Sequence, residues 1–64
     1  MEGIMGETFL RRVDVEQRVK LSRSEIYRRM ADGTFPRPVR LAPRAVRWKA
    51  SAVERWIEKA SEKI

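Results

Sequence analysis

The sequence predicts a small α+β domain, mostly helical, in the order helix, turn, helix, hairpin, helix. Three observations lead there. A Ser/Asp-x-x-Glu/Gln pattern opens a helical stretch at Asp14 and Gln17, at Ser22 and Glu25, and at Ser51 and Glu54. In such a pair the first side chain accepts from a backbone amide and the second reaches back to the first residue. Gly33, with Pro36 and Pro38 beyond it, ends the second stretch, because glycine takes the left-handed cap and proline cannot continue a helix. After it, Val39-Arg40-Leu41 and Val46-Arg47-Trp48 alternate apolar, basic, apolar, which is the period of a half-buried strand.

Taken in order, residues 1–8 read as a disordered lead-in and residues 9–64 as the folded domain. Phe9 to Val13 reads as a short extended piece. The first helix spans about Val15 to Val19, with those two valines inward and Leu21 behind them. Lys20-Leu21 leaves room only for a tight turn, so the first two helices form a helix-turn-helix unit. The second helix runs from Arg23 to Asp32. At about 100° per residue, Ile26, Tyr27, Met30 and Ala31 gather on one side, and Ser24, Glu25, Arg28, Arg29 and Asp32 take the other. The hairpin turns through Ala42-Pro43-Arg44-Ala45, where proline at the second position suits a type I turn. Strand alternation then sets Arg40 and Arg47 on the outer face of the ribbon, with Arg44 at its tip. The third helix, about Ala52 to Lys63, spaces Val53, Trp56, Ile57, Ala60 and Ile64 as a core stripe and leaves paired Glu and Lys/Arg outside.

Composition narrows the function. Sixty-four residues make one domain near the lower limit for independent folding. The chain has no Cys and no His, which excludes disulfides, zinc or iron–sulfur ligation by cysteine, thiol chemistry and imidazole catalysis. Its carboxylates fall in caps and on salt-bridged faces. No glycine-rich phosphate loop or nucleophile–base pair occurs. No enzymatic activity, metal or cofactor is therefore expected. No apolar run reaches the roughly 18–20 residues of a membrane span, and the first residues lack the parts of a signal peptide, so the reading is a soluble, cytoplasmic domain.

Charge is the strongest hint of a partner. Between Lys20 and Lys49, nine basic residues face only Glu25 and Asp32, a net +7 within a chain of net +6. One basic segment between near-neutral flanks suits a polyanion, and helix-turn-helix followed by hairpin and helix is the plan of a winged helix-turn-helix. A major groove about 12 Å wide accepts one helix, while a second braces it across the backbone. On that plan helix 23–32 enters the major groove and hairpin 39–48 is the wing.

Residue by residue, Ser22 is first a cap, at a helix end that also suits a phosphate. Arg23 and Ser24 sit in the first turn, which reaches base edges, and Arg28 lies one turn on. Arg29 either joins that face or pairs with Glu25 or Asp32. Tyr27, at the edge of the apolar side, packs into the core and can offer its hydroxyl to a phosphate. Lys20 in the turn, with Arg40, Arg44 and Arg47 on the hairpin, would meet backbone or minor groove. For Arg47 the alternative is an acidic residue of the fold. Trp48 and Trp56 follow apolar periodicity and read as core.

The sequence resembles the AlpA family of phage and prophage regulators, within the broader MerR-like and excisionase-like group. Leu21-Ser22-Arg23-Ser24-Glu25-Ile26-Tyr27-Arg28, Gly33 to Leu41, and Arg44-Ala45-Val46-Arg47-Trp48 carry the resemblance, with Ser51, Val53, Trp56 and Ile57. It covers about Phe9 to Ala60. It implies sequence-specific binding of double-stranded DNA, with activity as a transcriptional regulator of integrase genes or as an excisionase. The turn here is Ala42-Pro43, where the family pattern often has glycine, which implies a stiffer wing tip. One helix and one wing cover few base pairs, so further partners would be more copies of the chain on DNA, or a recombinase. An RNA-binding or protein-interaction module is the competing class. The first would bring exposed aromatics on the basic surface and the second an apolar outer face on the third helix, and the pattern shows neither.

Overall fold

In the structure, a computed structural model that describes residues 7–62, the order is β1 (Phe9–Leu10), α1 (Arg12–Val19), α2 (Arg23–Asp32), β2 (Val39–Ala42), β3 (Ala45–Lys49) and α3 (Ala50–Ser61). The architecture is a small, mostly helical α+β winged helix-turn-helix. The extended piece is shorter than the sequence suggests, because Arg12 and Val13 already belong to α1. It is also more useful: Phe9 and Leu10 pair antiparallel with Lys49 and Trp48, giving a three-stranded sheet of order β1-β3-β2.

The three capping patterns fare differently. At α2 the local box forms. Ser22 Oγ accepts from the Glu25 amide at 3.2 Å, and the Glu25 carboxylate accepts from the Ser22 amide at 3.1 Å. Asp14, by contrast, is not the cap of α1. The helix starts earlier, after Arg11, and Asp14 is its third residue, accepting from the Arg11 amide at 3.1 Å. A carboxylate at that position serves as the returning half of a capping box, which is why the pattern misplaces the start. Ser51 does not cap α3 either. It lies inside the helix, which begins at Ala50, and Glu54 pairs instead with Arg18 of α1.

Residues far back in the chain close α3. The Ala50 amide donates to the Thr8 carbonyl at 2.7 Å, and the Ser51 amide and hydroxyl donate to the Glu7 carboxylate at 3.3 and 2.9 Å. Glu7 and Thr8, placed by sequence in the lead-in, thus tie onto the domain. The rest of that lead-in lies outside the described residues, as do Lys63 and Ile64, which the sequence assigns to the third helix.

Val15, Ile26, Phe35, Trp48 and Val53 form the buried core, with Leu10, Val19, Leu21, Met30, Trp56 and Ile57 packed around it. Each helix and the sheet contributes, so the core joins the helix-turn-helix to the wing. Tyr27, Ala31 and Ala60, assigned to apolar stripes by sequence, are exposed. Phe35 is the unexpected member. It sits in the proline-bearing link between α2 and β2, which the sequence marks only as non-helical, and it packs edge-on to Trp56 at 4.9 Å between centroids. Trp48 Nε1 donates to the Pro36 carbonyl at 2.9 Å and Trp56 Nε1 to the Thr34 carbonyl at 2.6 Å. Two indoles therefore pin a link that makes no regular structure, which fixes where the wing leaves α2.

Candidate nucleic-acid interface

The turn between α1 and α2 is Lys20-Leu21-Ser22. Lys20 ends α1 in the left-handed conformation at φ 59°, its amide donating to the Glu16 carbonyl at 2.8 Å, and its side chain is exposed. That conformation costs a non-glycine residue roughly 1–2 kcal/mol. Gly33 closes the other end of α2 at φ 79°.

The residues of α2 divide into an inner line, an outer line and two flanks. Ile26 and Met30 face the core. Ser24 and Arg28 lie opposite, both exposed. Arg23 and Tyr27 form one flank, also exposed, with the Arg23 guanidinium carbon 5.8 Å from the Tyr27 ring centroid. Together with Ser24 they line a shallow surface depression. Tyr27 is 43% exposed, which corrects its placement in the core. Arg29, on the other flank, is half-buried. With Arg28, Trp56 and Lys59 it lines a groove between α2 and α3, and it forms neither of the ion pairs considered for it. The Ser22 amide, then its hydroxyl, and the charges of Arg28 and Arg29 hold the Glu25 carboxyl below the ordinary carboxylate range. An ionised carboxylate is thereby consumed by the cap rather than presented to a partner.

On the hairpin, Arg44 occupies the two-residue turn between paired Ala42 and Ala45 and is exposed, as expected. Arg40 is exposed, and its guanidinium donates to the Pro43 carbonyl at 3.2 Å, bracing the tip. The expected common outer face of Arg40 and Arg47 is broken on the Arg40 side: Arg47 still alternates with buried Trp48, whereas Arg40 comes to share a face with Val46 and Trp48. Unbroken alternation would set Arg40 opposite Arg47, both outward. The register instead pairs Arg40 with Val46 and Val39 with Arg47, shifted by an irregularity between Arg40 and Ala42. Cross-strand partners share a face and neighbours alternate, so Arg40 and Arg47 point to opposite faces. Leu41 is the extra residue, and a bulge of this kind re-aims everything beyond it. Arg47 is half-buried and Leu41 stands out at 53% exposure.

The charges complete the site. Among the described residues the ion pairs are Arg11–Asp14, Arg12–Glu16 and Arg18–Glu54. All involve α1, and none involves a basic residue between Lys20 and Lys49. Lys20, Ser22, Arg23, Ser24, Tyr27, Arg28, Arg40 and Arg44 are exposed, while Arg29 and Arg47 are half-buried. No group of His, Cys, Asp or Glu that could hold a metal occurs among the described residues. None of their helices is long and apolar enough to cross a membrane.

Residues 8–61 match the family described as Prophage CP4-57 regulatory protein (AlpA). That span is most of the chain, and the chain belongs to this family. A comparison with curated proteins gives no match.

Proposed function

We propose that this member of the AlpA family is a sequence-specific regulator that binds double-stranded DNA, with α2 in the major groove and the β2–β3 hairpin as wing. The observation that carries the reading is the separation of charge. The basic residues of α2 and the hairpin have no internal ion pair among the described residues, while the ion pairs gather on α1. Unpaired, exposed cations on a capped helix and an adjoining hairpin suit a duplex, whose phosphates attract cations and whose major groove accepts one helix. Arg23, Ser24 and Arg28 then reach base edges, Tyr27 supports that face, and Lys20, Ser22, Arg40 and Arg44 meet phosphates. Arg29 and Arg47 are secondary contacts at the margins. Transcriptional control and excision both need this surface. Regulation is preferred because the family is described as regulatory.

Titration of a labelled duplex and a single strand at two salt concentrations tests this. Four to six phosphate contacts give a slope of log K against log salt of about −4 to −5. Equal affinity for single strand, or no duplex binding at low salt, would sink the proposal.

A further inference from the structure

We infer that Arg23, held over the ring of Tyr27 by a cation–π contact, is a guanine-reading site on the first turn of α2, with Tyr27 as its positioning residue. The inference rests on the DNA-binding reading above. The two residues are four apart, the spacing at which helix side chains meet, and the tyrosine leans back toward the helix start. The guanidinium lies within reach of the ring's face at 5.8 Å, and the shallow depression there is lined by Arg23, Ser24 and Tyr27. Neither Arg23 nor Tyr27 is tied up elsewhere. Arg23 makes no ion pair among the described residues, and the ring is exposed rather than packed in the core.

A cation–π contact uses the charge of the guanidinium and leaves its N–H donors free for a hydrogen-bonding partner. Those donors are what pair bidentately with N7 and O6 of guanine in the major groove. A long side chain held on a ring has also surrendered part of its rotamer freedom before binding, so less is lost on contact. The tyrosine face, rather than its hydroxyl, is therefore the working part. Ser24 beside the pair fits either base edge or phosphate and adds no discrimination of its own.

The test uses the full chain and a preferred duplex chosen by selection from random sequences, with each guanine replaced in turn by 7-deazaguanine, which lacks N7. One replacement should weaken wild-type binding roughly five- to tenfold and leave Arg23→Ala unaffected. Tyr27→Phe should keep that discrimination within about twofold, while Tyr27→Leu should lose most of it yet still bind duplex at low salt. Arg23→Lys, which keeps charge but not the fork, should behave like Arg23→Ala, and it serves even if Tyr27→Leu proves poorly folded. Phe and Leu variants that lose discrimination equally would make the hydroxyl the working group and overturn the inference. So would wild-type protein that binds duplex but ignores every 7-deazaguanine. Absence of duplex binding altogether would instead sink the DNA-binding reading itself.

Discussion

The two halves of the basic segment are held in place by different means. α2 is fixed locally: Ser22 and Glu25 close its start, Gly33 closes its end, and Ile26 anchors its inner face. The hairpin is fixed from a distance. Trp48 buries its base against the core and bonds Pro36, β1 pairs along β3 from the other end of the chain, and a bulge at Leu41 sets its register. The outward residues of α2 follow largely from sequence spacing, whereas those of the hairpin do not. A helical face is set by residues within one turn, while a strand face can be reversed by a single extra residue elsewhere in the ladder.

The contrast can be broken most severely at Trp48. Trp48→Ala removes the largest buried side chain and the Pro36 bond together, at a cost of about 3–5 kcal/mol. In a domain this small that leaves little folded protein, so thermal unfolding by circular dichroism should show the cooperative transition lost. A variant that melts like wild type would show that the hairpin is held some other way.

A smaller effect sharpens the division of labour on DNA. Arg28→Ala should weaken binding to the preferred duplex by about 1–3 kcal/mol and flatten the preference among sequences. Arg44→Ala should weaken all duplexes alike and reduce the salt slope by about one. Uniform loss in both variants would mean that α2 is not the reader.

The mildest effects fall on the caps. Ser22→Ala should cost about 1 kcal/mol of stability. Glu25 and Glu7 both have carboxyls held below their ordinary range, Glu25 first by the Ser22 amide and Glu7 first by the Ser51 hydroxyl. A lowered folded value means stability that is fully present above the unfolded glutamate pKa, about 4.3, and lost as pH falls through the folded value. Melting temperature should therefore hold from neutral pH to about 5 and decline below about 4.3. Glu25→Gln should sit below wild type at pH 7 and converge with it in acid. A constant gap between them would mean that the cap does not depend on the ionised carboxylate.

Ser22, Glu25 and Gly33 place α2 because each acts within a few residues of itself. The same logic locates Trp48 and Val53 in the core and Arg44 at the wing tip. It fails at Asp14 and Ser51, where the pattern is present but the helix begins earlier. For Ser51 the groups that complete the helix end, Glu7 and Thr8, lie 44 and 42 positions away from their partners. It fails for Phe35, whose surroundings of proline and glycine signal only irregular backbone, although an aromatic there is costly to leave in water. Tyr27 and Arg29 sit on helix flanks, where spacing alone does not say which neighbour comes near.

By itself, then, the sequence determined the element order, the capped and terminated α2, and the concentration of cations between Lys20 and Lys49. These follow from contacts within a turn of helix or a turn of chain, and from composition. Only the tertiary structure decided that Glu7 and Thr8 close α3, that Phe35 enters the core, that no other element covers Tyr27 among the described residues, and that Arg40 and Arg47 face opposite ways. Each of these depends on strand register or on elements distant in the chain coming together, which no local pattern encodes.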